Sequence, residues 1–282
     1  MNSFASKIDH RLSLDRVMGG TVATIGTVVL MEAYFRTELG DAETSKACRY
    51  PPTSTILTKD HIRELERNNM VVIHNVLTPT MLQGARTSIQ TMGKIFDSDN
   101  HSNNEDVRRD ATCVIRESDA KFQHGHDSLI HCIKLLRGVP YLLDRFQYNV
   151  SSSFNVPKQC QLSRYISDGQ LYGYKRHLDR CTESLSEMGL LGWLRASDYR
   201  HRSVTCILYL NSLEWNSGGN LRCYREKETV EERETFTDVS PTGGTLIIFD
   251  SEKVEHEVLP STKDRYALTL WINGERKEVL DN

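Results

Sequence analysis

The sequence predicts an α+β fold, with helices first and a double-sheet, jelly-roll β core after them. Before residue 157, apolar residues recur at helical spacing in three segments. After it, short apolar runs are separated by clusters of Gly, Asn, Ser and Pro, which is typical of the strands of a sandwich or barrel. Helices that are segregated from such strands indicate an α+β arrangement.

The composition is that of a globular protein. Of the 282 residues, 38% are hydrophobic and 26% are charged, so one large or two ordinary domains can bury a core. The net charge of -3 and the pI of about 6.4 argue against a nucleic-acid-binding protein, which usually carries a basic surface. Seven cysteines without a C-x-x-C pair indicate free thiols in a reducing compartment. We therefore predict a cytoplasmic or nuclear protein, with a membrane-anchored, endoplasmic-reticulum or organellar location as the alternative.

Residues 1–55 are predicted to form an N-terminal extension and linker. Residues 17–31 carry no charge and follow Lys7, Arg11 and Arg16, as in an anchor or a targeting peptide. A membrane-spanning helix needs about 20 mostly apolar residues, and this run is shorter and rich in Gly and Thr. Residues 17–35 therefore stay open between a membrane anchor, a targeting segment and a soluble extension. The polar stretch that ends in two prolines before residue 55 predicts a linker.

Residues 56–157 are predicted to be a helical region that supports the β core. Thr58 is a suitable N-cap for the first helix, and Thr78 or Thr80 for the second. Pro140 is expected to kink or restart the third helix. The first helix is predicted over 58–66, the second from Thr78 or Thr80 to about 91, and the third over 127–146. Strands are predicted over 70–73 and 111–116.

Residues 158–275 are predicted to form the β core. The mixed charge run at 226–234 is expected to be a solvated loop or a hairpin tip. The strands are predicted over 159–166, 172–178, 202–210, 220–224, 244–250, 255–259 and 265–273.

Three residues of this core form a candidate metal site. His177 and Asp179 lie one residue apart in a predicted strand, so both side chains point to the same face. His256 follows another apolar strand and supplies a third ligand. Two imidazoles and one carboxylate suit ferrous iron and leave coordination positions open for a co-substrate and oxygen.

Arg265 is a candidate anion-binding residue. It opens an apolar strand, where a guanidinium is costly to bury unless an anion meets it. Ala267, Thr269 and Trp271 share its face of the strand, so a hydroxyl lies near the guanidinium. This arrangement predicts a carboxylate pocket, with a salt-bridged core arginine as the alternative.

These segments resemble the catalytic core of iron- and 2-oxoglutarate-dependent dioxygenases of the prolyl 4-hydroxylase superfamily. Within it, they are most similar to the hypoxia-sensing type of prolyl hydroxylase. A looser resemblance extends back to about residue 57. The matching motifs are H-L-D at 177–179, V-T-C-I-L-Y-L-N at 204–211, S-G-G-N-L-R at 217–222, H-E-V-L-P at 256–260 and R-Y-A-L-T-L-W at 265–271.

The resemblance implies a double-stranded β-helix with N-terminal helices packed on one sheet, and it implies roles for individual residues. The iron ligands would be His177, Asp179 and His256. Arg265 and Tyr209 would bind the distal carboxylate of 2-oxoglutarate, with Thr269 beside it. The residues implied to line the cavity are Tyr165 and Tyr174 near the metal, and Ile207, Leu221 and Trp271 as apolar wall.

The resemblance also implies a reaction. The protein would use Fe(2+), 2-oxoglutarate and O2 to 4-hydroxylate a prolyl residue in a protein or peptide, releasing succinate and CO2, with L-ascorbate as reductant. No nucleic-acid partner is expected. The alternatives are the same chemistry on a free amino acid or small molecule, and a silent metal-binding barrel. Residues 180–202 are longer than the family's usual segment and could dock substrate, act as a lid or pack onto the barrel.

Overall fold

The computed structural model describes residues 56–92, 110–119, 125–148, 154–167, 173–181, 186–187, 189, 200–225 and 234–274. Three predictions lie wholly or largely outside these residues: the N-terminal extension at 1–55, the segment at 180–202, and the charge run at 226–234.

The described residues form three helices and ten strands. The predicted elements match their bounds within two residues, and the sequence missed one strand, β7, because only Val239 of its four residues is buried. In chain order they are α1 (Lys59–Asn68), β1 (Met70–Ile73), α2 (Pro79–Thr91), β2 (Asp110–Arg116), α3 (Asp127–Arg145), β3 (Gln159–Tyr165), β4 (Tyr174–His177), β5 (Arg202–Tyr209), β6 (Leu221–Tyr224), β7 (Phe236–Val239), β8 (Leu246–Asp250), β9 (His256–Val258) and β10 (Arg265–Asn273).

The strands form two antiparallel sheets. The major sheet has the order β1-β8-β5-β10-β3-β2 and the minor sheet the order β4-β9-β6-β7. Strands distant in the chain are neighbours in each sheet, as in a double-stranded β-helix. The α+β, jelly-roll prediction is therefore confirmed. β1 and β2, which precede the predicted core, complete the two edges of the major sheet.

The helices cover one face of the major sheet. α3 packs on β10 and β5, α2 packs beside α3, and α1 packs on β1. Their apolar stripes form one core with the outward-facing residues of the sheet, such as Leu136 on α3 and Leu268 and Leu270 on β10. The other face of the same sheet lines the barrel interior, where Ile207, Tyr209 and other residues form a separate core. Because side chains alternate along a strand, each central strand contributes one set of side chains to the core under the helices and the other set to the barrel interior.

Pro140 lies inside α3, and the helix continues past it to Arg145. The expectation that Pro140 restarts the helix is wrong. A proline inside a helix costs about 3 kcal/mol through the lost hydrogen bond and a steric clash. Burial of Val139, Leu142 and Leu143 around it offsets this cost, since each is at most 3% exposed.

Among the described residues, none of the helices has both the length and the apolar character that a membrane crossing requires. Residues 17–35, the predicted candidate for membrane association, are outside the part of the chain that is described.

We expect Leu136→Ala to lower the free energy of unfolding by about 2–5 kcal/mol, because it opens a cavity between α3 and the major sheet. Leu136 is fully buried, whereas Leu213 is 44% exposed. Leu213→Ala is the matched control and should change stability by no more than about 0.5 kcal/mol. Urea denaturation of both variants measures the difference, and equal losses would contradict the packing described for α3.

Candidate metal and co-substrate site

His177, Asp179 and His256 converge inside the barrel. His177 Nε2 lies 3.7 Å from Asp179 Oδ1, and His256 Nε2 lies 3.9 Å from Asp179 Oδ2. One ligand atom from each residue lies within 4.8 Å of the other two. Two imidazoles and a carboxylate this close together can supply ligands to one common ion. Within the described part of the chain, these three residues form the group whose ligand atoms lie close enough together to hold a metal ion.

The backbone places the two histidines opposite each other. His177 ends β4 and His256 begins β9, and the two residues are partners in the antiparallel register. Asp179, however, lies beyond the end of β4, so strand alternation alone does not aim its carboxylate. Directly after Asp179, the Arg180 N–H donates to the Ser251 carbonyl at 2.9 Å, which holds the backbone next to the carboxylate.

Backbone carbonyls fix the tautomer of both histidines. His177 Nδ1 lies 2.8 Å from the Lys175 carbonyl oxygen, and His256 Nδ1 lies 3.0 Å from the Val254 carbonyl oxygen. Carbonyls only accept, so each Nδ1 carries the proton and each Nε2 keeps its lone pair. A neutral imidazole with a free Nε2 is the usual histidine ligand of a metal, and the carbonyl contact also holds the ring orientation.

Asp179 is held in its ionised form. Burial raises the pKa of this carboxyl group, but electrostatic attraction from His256, Arg202 and His177, with each histidine contributing only when its ring is protonated, and a hydrogen bond from Thr205 outweigh burial, so the net shift is downward. Thr205 Oγ1 donates to Asp179 Oδ2 at 2.7 Å and lies 2.8 Å from Ser251 Oγ. The hydroxyl pair therefore orients the carboxylate, as outer-shell partners of metal ligands commonly do.

Arg265 provides a buried positive charge at the other end of the cavity. The residue is 1% exposed, and its Nε donates to the Gly219 carbonyl at 2.8 Å. The rings of Tyr165 and Tyr209 flank the guanidinium, each 4.9 Å from its central carbon. No ion pair joins it to a carboxylate of the described residues. Because a buried charge without a partner is strongly unfavourable, this site requires an anionic ligand.

Tyr209 lies beside the same guanidinium. The hydroxyl is buried and has no hydrogen-bond partner among the described residues. Burial raises the pKa of Tyr209 to about 12, with the charge of Arg265 acting in the opposite direction. The phenol is therefore neutral at physiological pH and can donate to an anion. The Tyr209 hydroxyl is a buried donor without a partner among the described residues, and it lies beside the Arg265 guanidinium, which has no ion pair with a described carboxylate. A bound carboxylate would satisfy both groups.

The S-G-G turn before β6 brings the backbone close to Arg265. Gly219 has φ +73°, and a Cβ there would lie 3.0 Å from Arg265 Cδ. A larger residue would be strained by the backbone conformation and would displace the guanidinium. The two glycines of the motif thus allow the carbonyl of Gly219 to approach and orient Arg265.

A single cavity joins the metal ligands to Arg265. Tyr209 is not among the residues that line this cavity. Its ring packs against Arg265, which does line it. The Tyr174 ring packs 4.0 Å from the His177 ring, centroid to centroid. The other predicted site residues that line the cavity are Tyr165, Thr269, Ile207, Leu221 and Trp271.

The sequence prediction missed several residues that shape the site. Thr205 alternates with Ile207 and Tyr209 along β5, so its inward direction was available from strand period. Arg202 stacks 3.9 Å from the Trp271 ring and donates to the Asp179 carbonyl at 3.5 Å, a contact that no sequence pattern indicates. Gln161 and Ser163 also line the cavity. Both belong to the predicted strand over 159–166, in which only Tyr165 was assigned to the cavity.

We expect Thr205→Val to weaken binding of Fe(2+) by about 10–100-fold, because it removes the hydrogen bond that orients Asp179 while keeping the side-chain shape. Thr205→Ser keeps the hydroxyl and is the matched control, and His256→Ala should abolish tight binding. Anaerobic titration with Fe(2+) measures all three affinities. Thr205→Val with the affinity of the original protein would exclude Thr205 from the orienting role.

Comparison with known proteins places this site in a family. Residues 160–273 match the model of the 2OG-Fe(II) oxygenase superfamily. A stretch of 74 residues is 40% identical to Egl nine homolog 1 from Rattus norvegicus, and it covers 25% of this chain and 20% of that protein. The same length is 39% identical to prolyl hydroxylase EGLN3 from Homo sapiens, of which it covers 28%. The matched stretch thus spans between a fifth and somewhat over a quarter of these two relatives.

Solved structures share the fold at low sequence identity. A prolyl-4-hydroxylase from Pseudomonas putida superposes with a TM-score of 0.55 at 22% identity, over 78% of this chain and 99% of that one. A prolyl hydroxylase from Trichoplax adhaerens, solved with a peptide fragment of the hypoxia inducible factor oxygen degradation domain, superposes with a TM-score of 0.56 at 21% identity, over 77% and 89%. Residues 160–273, which contain the three convergent metal ligands and the buried arginine, match the 2OG-Fe(II) oxygenase superfamily, and the fold is that of the prolyl hydroxylase structures on which the chain superposes.

Proposed function

We propose that this protein is a 2-oxoglutarate-dependent dioxygenase that hydroxylates a prolyl residue in a protein or peptide. The observation that carries the proposal is the pairing, in one cavity, of an iron-type ligand set with a buried arginine that lacks a carboxylate partner among the described residues. The ligand set suits a redox metal, and the arginine suits the far end of a diacid.

His177, Asp179 and His256 would hold ferrous iron by Nε2, a carboxylate oxygen and Nε2. Bound iron supplies the oxidative chemistry, in which 2-oxoglutarate and O2 give succinate, CO2 and a hydroxylated substrate. The protein contributes a fixed donor geometry, since both imidazoles are held by carbonyls and the carboxylate by Thr205. Three protein ligands leave the remaining coordination positions to the reactants.

Arg265 and Tyr209 would bind the distal carboxylate of 2-oxoglutarate. The Nε of Arg265 is occupied by Gly219, which leaves the terminal nitrogens for the ligand. Tyr209 adds a neutral hydroxyl donor at the same place. Thr269 follows Arg265 on the same face of β10 and lines the same cavity, so it would face the bound co-substrate. These contacts orient the co-substrate and exclude water from its buried end.

A prolyl substrate is supported by the mouth of the cavity and by the relatives. Tyr174 and Trp271 line the cavity near the metal ligands and remain partly exposed, so an aromatic, apolar surface borders the entrance. Such a surface suits a proline ring. The curated relatives that match this chain include prolyl hydroxylases, and one similar structure holds a peptide. We extend this substrate class to the present chain as part of the proposal.

The test is turnover of 2-oxoglutarate by the full chain with Fe(2+) and L-ascorbate, with and without proline-containing peptides. We expect peptide-stimulated succinate release and a gain of one oxygen atom on proline by mass spectrometry. The matched control replaces the proline of a reactive peptide by alanine. Turnover stimulated by small molecules and not by peptides would favour a different substrate. Absence of iron-dependent succinate release under all conditions would contradict the dioxygenase assignment.

We expect Arg265→Ala to raise the KM for 2-oxoglutarate by about 10–100-fold, because a hydrogen bond to a charged group contributes about 1.5–3 kcal/mol. Arg265→Lys should recover part of the loss, since it keeps the charge without the planar fork. Arg222→Ala is the control, because Arg222 pairs with Asp238 on the exposed face of the minor sheet. Steady-state kinetics with varied 2-oxoglutarate measures the effect, and an unchanged KM would remove Arg265 from the pocket.

A further inference from the structure

Two polar side chains of β3 face the cavity, and the proposed function assigns no role to either of them. Gln161 and Ser163 line the cavity together with Tyr165, in the period-two alternation of a strand. On the helix-facing side of β3, Cys160 and Leu162 are buried in the other core. A glutamine and a serine on the inner face are therefore a departure from the apolar lining.

The strand register places Ser163 beside the binding site for the distal carboxylate. On β10, Ala267 pairs with Ser163 on one side and with Tyr209 on the other. Directly opposed residues on one face have Cβ atoms about 4.5–5.5 Å apart. The small side chain of Ala267 thus leaves a depression between the side chains of Ser163 and Tyr209. Arg265 and its partner Tyr165 close one end of this depression.

The hydrogen bonding of this pair directs the serine proton away from Gln161. Gln161 Nε2 donates to Ser163 Oγ at 3.0 Å, so the serine oxygen acts as the acceptor. Ser163 is 3% exposed, and none of the described residues accepts its own proton. A buried donor without an acceptor is unfavourable, and an anion held next to it by Arg265 would satisfy it.

A carboxylate can accept more hydrogen bonds than Arg265 and Tyr209 would donate, so it can also accept one from Ser163. The two oxygens offer about four lone-pair sites. Two parallel bonds from the Arg265 fork and one from Tyr209 would leave a further site unused. Tyr209 and Ser163 flank Ala267 on opposite sides, so they can approach the carboxylate from opposite directions.

We infer that Ser163, oriented by the amide of Gln161, donates a further hydrogen bond to the distal carboxylate of the bound keto-diacid. The inference rests on the proposed function, because it assigns a specificity-determining contact within the same co-substrate site. Gln161 acts as a positioning residue, since it reaches the ligand only through Ser163.

Calorimetric titration of the full chain loaded with Zn²⁺ tests this contact without turnover, because zinc has no redox chemistry. The probes are 2-oxoglutarate and 2-oxopentanoate, which carries a methyl group in place of the distal carboxylate. We expect Ser163→Ala to weaken 2-oxoglutarate binding by about tenfold, since a charge-assisted hydrogen bond is lost. Binding of 2-oxopentanoate should be unchanged.

Ser88→Ala is the matched control. Ser88 is also buried, but its hydroxyl donates to the Gly84 carbonyl within α2, away from the cavity. This variant should bind both probes like the original protein. An equal loss for both probes in Ser163→Ala would mean a general structural role and would overturn the inference, as would the absence of any loss.

Gln161→Leu separates orientation from direct contact. We expect about a threefold loss for 2-oxoglutarate, because the serine hydroxyl stays but is no longer held in one direction. Full affinity in this variant would overturn the positioning role of Gln161. If the original protein does not bind 2-oxoglutarate, the proposed function fails together with the inference. If it binds and Ser163→Ala binds equally well, only the inference fails.

Discussion

A guanidinium buried inside a β-barrel, with no ion pair to a described carboxylate, is the constraint on which the site depends. Burying a lone charge is costly enough that proteins normally supply a counter-ion from the chain. Here the surroundings of Arg265 are instead a backbone carbonyl from Gly219 and two aromatic rings. These groups orient the cation without neutralising it. The fold therefore keeps a place for an external anion, and the ring of Tyr209, whose buried hydroxyl has no hydrogen-bond partner among the described residues, flanks the guanidinium.

Antiparallel alternation makes this arrangement compatible with a stable core. Along β10, the residues that face the helices are fully buried apolar groups such as Leu268 and Leu270, whereas Arg265 and Thr269 face the barrel interior. One side of the strand contributes hydrophobic stabilisation, and the other carries the chemistry. The helices matter to function because they bury the outer side. A functional site can then occupy the inner side without exposing the sheet to water.

The minor sheet carries two of the three metal ligands on short strands, and charged groups hold it together on its outer face. Arg176, the residue before His177, stacks 3.6 Å from the Tyr224 ring and pairs with Glu234 at 2.8 Å and with Glu255. Each exposed pair of this kind contributes little by itself. Together they join β4 to β9, β6 and the start of β7, so they restrain the strand that ends at the first ligand.

Much of this protein was readable from local sequence, because strand and helix periods depend on residues a few positions apart. The alternation of β10, the caps of α1 and α2, and the identity of the metal-ligand types all come from such short-range patterns. Tertiary structure decided the rest. Asp179 lies beyond the end of β4 and is aimed by Thr205, and Ser163 reaches the cavity opposite Tyr209 only because β3 and β5 pair with the same strand. Register between strands far apart in the chain depends on packing of the whole core, which no local window contains.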